Sequence, residues 1–278
     1  MTLSGESLMC WEPPPARVCL GRGEVHVWRA ALSAEHSRGP GQMESLSEQE
    51  RLGARGFHFA KDRDRYVLSR SILRQLLGLY LGRRPAAVDI SVGPFGKPFV
   101  PEDSAGSGLR FNLSHSGDFA LYAFSVGRDV GIDLERSVPL ELDELDSAGF
   151  LSEREKLELS SLGGRSRQEA LLRCWARKEA YIKATGEGMN APLTEIEVSV
   201  APGSPSVHRR QRGREADRRW SLEDLCVAPG YAACLAVEGE AAIDTWEWLW
   251  PEPESPPRAA VLWTGGRCAA PDLKWSGW

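Results

Sequence analysis

Apolar and polar residues alternate from Val25 to Leu32, V-H-V-W-R-A-A-L, which is the period of a strand. From Leu46 the text changes to L-S-E-Q-E-R-L, where Ser47 followed by Glu50 predicts a capping box and a helix start. Leu68, Ile72, Leu76 and Leu79 then recur at helical spacing and predict a helix over 65–81, ended by Pro85. A strand is expected over 87–92, followed by a loop rich in Gly and Pro over 93–108. Three strands follow in quick succession: L-R-F-N-L-S at 109–114, F-A-L-Y-A-F-S at 119–125 and V-G-I-D-L-E at 130–135. A second long helix is predicted over 166–185, with a capping box at Ser166 and Glu169 and Gly186 as its stop. Strands at 194–200, 221–228 and 231–238 complete the pattern.

At Leu151 the chain reads L-S-E-R-E-K-L, which matches L-S-E-Q-E-R-L, 105 residues earlier, at five of seven positions. The order strand, capped helix, long helix, strand therefore occurs twice, and an internal duplication is inferred. The expected fold class is α+β, with two similar lobes related by a pseudo-twofold axis. The expected division is a flexible arm at 1–22, an N-terminal lobe at 23–127, a C-terminal lobe at 128–240 and a Trp-rich extension at 241–278. Six of the ten tryptophans fall in that extension. Trp246, Trp248 and Trp250 would share one strand face and cover exposed sheet.

The 278 residues carry a net charge of -5, which argues against bulk nucleic-acid binding. No apolar run is long enough to span a membrane, and the N-terminus does not read as a secretory signal. The six cysteines are scattered without a C-x-x-C pair and read as reduced thiols in a cytoplasmic protein. From 207 to 220 the chain is basic, which reads first as a solvated loop.

Asp133 and Glu135 interrupt an apolar strand and point to one face of it. One reading is a solvated edge strand with the acids outward. The other is a bound cation, because like charges so close repel unless compensated. Glu179 sits in the apolar stripe of the 166–185 helix, one turn after Trp175. It either pairs with Lys183 at i+4 or faces the same cation as the two strand acids. Three carboxylates without Cys or His point to a hard cation, Mg2+ or alternatively Mn2+, which favours substrate phosphates in its shell. Lys97, His115, Lys178 and Lys183 are suited to such a phosphate ligand.

F-G-K-P (95–98), F-N-L-S-H-S (111–116), G-I-D-L-E (131–135) and W-A-R-K-E-A-Y-I-K (175–183) stand in this order. Together they resemble the 4′-phosphopantetheinyl transferases of the long, two-lobed type, over residues 25–238. That family moves the phosphopantetheine arm of coenzyme A to a serine of an acyl, peptidyl or aryl carrier protein and releases 3′,5′-adenosine bisphosphate. The resemblance implies that Asp133, Glu135 and Glu179 hold Mg2+ with the diphosphate of coenzyme A. It implies phosphate contacts for Lys178 and Lys183, and coenzyme contacts for Lys97, Pro98, Asn112, Ser114 and His115. Arg65 in K-D-R-D-R-Y matches a 3′-phosphate ligand. Where relatives place first-lobe lysines, this chain has Glu50 and Gly53, with Arg51 or Arg55 as substitutes. Glu155 matches a candidate general base, although Ser152 and Glu155 also read as a capping box.

The resemblance therefore implies a Mg2+-dependent carrier-protein synthase with coenzyme A and a carrier domain as partners. Charge, hydropathy and cysteines read as a cytoplasmic protein without nucleic-acid or membrane partners, and a fused pair of lobes, which removes the need to dimerise, reads as a monomer. A non-catalytic coenzyme A- or carrier-binding module and a metal-dependent phosphohydrolase stay as alternatives. The basic run Arg209–Arg219 would attract an acidic carrier.

Overall fold

A computed structural model describes residues 11–33, 41–101, 108–138, 147, 149–209 and 219–249. The first lobe contains β1 (Glu24–Ala31), α1 (Gln42–Ser45), α2 (Glu48–Arg55), α3 (Ala60–Leu81), β2 (Ser91–Val92), β3 (Pro98–Phe99), β4 (Leu109–Ser116) and β5 (Phe119–Val126). The second contains β6 (Val130–Arg136), α4 (Glu153–Ser160), α5 (Gly164–Thr185), β7 (Ile196–Val198), β8 (Val207–Arg209), β9 (Trp220–Asp224) and β10 (Tyr231–Glu238).

The internal repeat is visible element by element. Each lobe runs strand, capped helix, 22-residue helix, short hairpin, two strands. Both capping boxes form, at Ser47 with Glu50 and at Ser152 with Glu155. The sheet orders correspond too, β1-β5-β4 in one lobe and β6-β10-β9 in the other.

Period-two alternation divides each sheet into two apolar faces. On one face of the first sheet, Trp28, Tyr122 and Phe124 pack on Leu68, Ile72 and Leu76 of α3. On the corresponding face of the second, Cys234 and Ala236 pack on Ala176 and Ala180 of α5. The remaining faces meet each other, with Val25, Val27, Leu121 and Ala123 against Ile132, Leu134, Leu235 and Val237. The layers are thus helix, sheet, sheet, helix, and the strand with the two acids is covered on both sides. Asp133 is 1% exposed, so the solvated-edge reading of that strand is corrected.

Local signals erred at several boundaries. Helix α3 starts five residues before Arg65 and ends at left-handed Gly82, while Pro85 opens a short 3-10 turn. Of the strand expected over 87–92, only Ser91 and Val92 pair. The box at Ser166 and Glu169 does not form. Helix α5 begins earlier, after Gly163 with no side-chain cap, and Glu169 pairs with Arg165 instead.

The tail forms β11 (Ala242–Glu247), which joins the first lobe's sheet parallel to β1. Trp246 and Trp248 both stack edge-on against Trp28, so they cover the sheet as expected, while Trp250 lies outside the described residues. Residues 11–22 form no regular element beyond one bridge of Glu12 to Trp246, but Val18 and Leu20 are buried in the first core. Residues 1–10 of the predicted arm lie outside the described residues.

Candidate active site

The edge strands of the two sheets, β4 and β6, meet without backbone pairing. Side chains of β4 at every second position join them instead. Asn112 Oδ1 accepts from Ile132 N at 2.8 Å, Ser114 Oγ donates to Asp133 Oδ1 at 3.1 Å, and Ser116 Oγ accepts from Arg136 N at 3.0 Å. The motif F-N-L-S-H-S thus joins the lobes. Asn112 makes this inter-lobe bond and also lines a cavity beside the seam.

A cavity of about 500 Å3 opens along this seam. Three elements supply most of its wall around the two acids of β6. Tyr66, Ser69 and Arg70 project from α3, Ser114 and His115 from β4, and Trp175, Glu179 and Lys183 from α5, around Asp133 and Glu135. Lys183 Nζ lies 2.5 Å from Asp133 Oδ1 and donates to Ser114 Oγ at 3.2 Å. Trp175 donates its indole N–H to Glu135 Oε1 at 3.1 Å. Glu179 faces the cavity, as the helical stripe predicts.

The acids are not fully compensated. Asp133 Oδ2 and Glu179 Oε1 are buried with no hydrogen-bond partner. Burial, then the charge of Asp133, pushes the Glu179 carboxyl up to about 7. The same two causes raise Glu135. Buried polar atoms without partners are rare, and two on acids of one cavity fit an oxygen-coordinated cation. Among the described residues no His, Cys, Asp or Glu cluster is already converged for coordination. The Lys183 ammonium is the cation that Asp133 holds.

A second cavity, of about 330 Å3, adjoins the first and shares Pro98, Leu113, Glu179 and Lys183 with it. Phe95, Gly96, Gly186 and Gly188 give it apolar walls. Lys97 crosses its floor and donates to Val130 O and Ala184 O, and burial lowers its pKa to about 8.

Two of the expected site residues lie elsewhere. Lys178 and Glu155 are both buried and pair with each other at 2.6 Å, and neither lines the cavity. Lys178 also donates to Phe150 O and Leu193 O. Glu155 accepts from Ser152 N and Val198 N, each at 2.8 Å. Glu155 is therefore corrected from candidate base to structural anion, and Lys178 from phosphate ligand to its counter-ion. Adjacent helical residues point about 100° apart, so Lys178 turns inward where Glu179 faces the cavity.

Arg65 lies near the rim but is tied to Asp118 at 2.7 Å. His115 is open to solvent there, yet its pKa is lowered, first by desolvation and then by Lys183, Arg65 and Arg70. With the ring accessible, the three cations are the firmer cause. Of the substitutes for first-lobe lysines, Arg51 donates to Met43 O. Arg70 is the first-lobe cation that lines the cavity, and sequence reading missed it. Ser69 and Arg70 stand at i+3 and i+4 from Tyr66, which puts both on its helix face, but this polar face lies outside the apolar stripe that marks the helix. Arg209 of the basic run forms a two-bond ion pair with Glu187, while 210–218 lie outside the described residues.

Two family models match the chain, one lobe each. The model described as the 4′-phosphopantetheinyl transferase superfamily covers residues 129–236, and that of the 4′-phosphopantetheinyl transferase N-terminal domain covers 36–126. The 4′-phosphopantetheinyl transferase HetI of Nostoc sp. is 38% identical over 230 residues, covering 82% of this chain and 94% of that one. The chain belongs to the 4′-phosphopantetheinyl transferase superfamily. The Bacillus subtilis 4′-phosphopantetheinyl transferase Sfp is 27% identical over 158 residues, 57% of this transferase and 68% of Sfp. A human relative, L-aminoadipate-semialdehyde dehydrogenase-phosphopantetheinyl transferase, is 27% identical over 205 residues, covering 68% of this transferase and 65% of that protein.

Proposed function

We propose that the seam cavity binds the diphosphate of coenzyme A and that the protein transfers the 4′-phosphopantetheine arm to a serine of an apo carrier protein. The serine oxygen bonds to the β-phosphorus, the bond from that phosphorus to the bridging oxygen breaks, and 3′,5′-adenosine bisphosphate leaves with the negative charge. The serine proton passes to a base at the cavity, which Glu155 does not line. The observation that carries this reading is the pairing of uncompensated carboxylates with Lys183, Arg70 and His115 around one volume between two transferase-family lobes.

Asp133, Glu135 and Glu179 would hold Mg2+, which when bound supplies charge stabilisation for the phosphates. Lys183 is suited to move from Asp133 to a phosphate oxygen once a ligand is present, because an ammonium on a flexible stem re-aims easily. Arg70 and His115 would face the phosphates from the first lobe. Positioning does most of the work, since phosphoryl transfer asks for little covalent chemistry from the protein. Among the described residues no helix is apolar and long enough to cross a membrane.

The test is incubation with coenzyme A and Mg2+, with and without an apo carrier protein, read by mass spectrometry. A gain of one phosphopantetheine on the carrier is expected, lost in EDTA and in Asp133→Ala. Bisphosphate release without carrier would instead indicate a phosphohydrolase, and coenzyme binding without either product a binding module.

A further inference from the structure

Glu135 is the least buried of the three cavity acids and stands one residue from the end of β6. Asp133 is held by Lys183 and Ser114, but Glu135 has few constraints of its own. Ser116 Oγ approaches it at 3.4 Å, the outer limit of a hydrogen bond. The well-formed donor is the indole N–H of Trp175 at 3.1 Å. That ring is itself fixed, edge-on to Phe150 with centroids 5.1 Å apart. It sits one helical turn before Glu179, so a single turn of α5 supplies one cavity acid and the donor to another.

We infer that Trp175 is a positioning residue for the cation site: its indole N–H pins Glu135 Oε1 and turns that carboxylate toward Asp133 and Glu179. An indole has one donor and no acceptor, so Trp175 can orient a carboxylate without competing for its cation. This inference rests on the proposed metal role of the three acids. Donors that orient metal-binding side chains typically change metal affinity by about 10–100-fold when removed.

The discriminating variant is Trp175→Phe, which keeps an aromatic ring against Phe150 and removes only the N–H. Binding of Mn2+ to the protein with coenzyme A present and no carrier is followed by electron paramagnetic resonance of the free ion. The variant should bind Mn2+ about 10-fold or more weakly, while its metal-free Tm and its affinity for coenzyme A in EDTA stay near native. A native-like Mn2+ affinity would overturn the inference. So would a fall in metal-free Tm with unchanged Mn2+ affinity, which marks a packing role. A second test compares Glu135→Ala alone and with Trp175→Phe, because the Trp change should add no further loss of Mn2+ binding once Glu135 is gone. Trp175→Tyr, which also removes the indole N–H, replaces Trp175→Phe in both tests if that variant is unstable. An additive loss overturns the inference. If Asp133→Ala and Glu135→Ala both bind Mn2+ as native protein does, the cation site itself is wrong. If they lose binding and Trp175→Phe does not, only the role of Trp175 is wrong.

Discussion

Glu155 and Lys178 form an ion pair of 2.6 Å beneath α5, with both side chains at most 1% exposed. Breaking a buried pair leaves one charge without compensation and typically costs about 3–5 kcal/mol. Ser152 N and Val198 N bond to different oxygens of Glu155, so Glu155→Gln keeps an acceptor for only one of them and also removes the countercharge of Lys178. Its Tm should fall by roughly 6–20 °C, at about 2–4 °C per kcal/mol for a chain of this size. Turnover measured well below that Tm should stay within about threefold of native. A normal Tm with a large loss of kcat would restore Glu155 as the base.

Gly131 sets how closely β6 approaches α5. A Cβ there would overlap Ala180 O and Ala184 N, both backbone atoms of α5. Gly131→Ala must push the helix away and with it Glu179 and Lys183, which face Asp133 across that contact. Soluble yield and Tm should both fall, and surviving protein should need more Mg2+ for half-maximal activity. Gly163 has open space around it and an unstrained backbone, so Gly163→Ala should change stability by no more than about 0.5 kcal/mol. Equal Tm values for the two variants would refute the close-approach account.

Much of this fold was legible because its signals are local. Ser47 with Glu50 and Ser152 with Glu155 each satisfy a helix start within four residues, and alternation marked β4, β5 and β6. The box at Ser166 and Glu169 failed because the helix had already begun at Gly164, and nothing in the motif reports that. Other features depend on distant partners. Glu155 serves its own cap and also Lys178, 23 positions away, so the local motif described half of its surroundings. The parallel pairing of β11 with β1 joins residues more than 200 positions apart and has no counterpart in local periodicity. At the site, Asp133, Glu135, Glu179 and Lys183 were readable from face and spacing. Trp175 was assigned to the apolar stripe because its one polar atom does not register in hydropathy.

Asp118 holds the guanidinium of Arg65 and lies 3.9 Å from that of Arg136 in the other lobe. If Arg65 serves the 3′-phosphate of coenzyme A, it must leave Asp118 to do so. The carboxylate is 61% exposed, so the pair is worth no more than about 1 kcal/mol. Asp118→Asn should therefore tighten coenzyme A by up to about fivefold and leave dephospho-coenzyme A unchanged. Arg65→Ala should weaken coenzyme A alone. Parallel changes for the two ligands in either variant would remove Arg65 from the 3′-phosphate site.

The last expectation concerns the pH dependence of cation binding. Glu179 has its carboxyl raised to about 7, by burial first and then by Asp133, while Lys183 pulls the other way. Between its ordinary value near 4.5 and about 7, the folded state holds a proton there that the unfolded chain does not. Stability from this group is then lost as pH rises through that window, because the unfolded state binds fewer protons. A cation reverses the preference, since it requires the carboxylate and must displace the proton below pH 7. The rise in Tm produced by a fixed Mg2+ concentration should thus be clearly larger at pH 8 than at pH 6. Metal-free protein should show the opposite trend from this group. Glu179→Gln cannot titrate and should flatten both trends, with a metal-free Tm at pH 8 above that of native protein because a buried charge is gone. A Mg2+-induced shift in native protein that is the same at pH 6 and pH 8 would show that Glu179 does not share the cation.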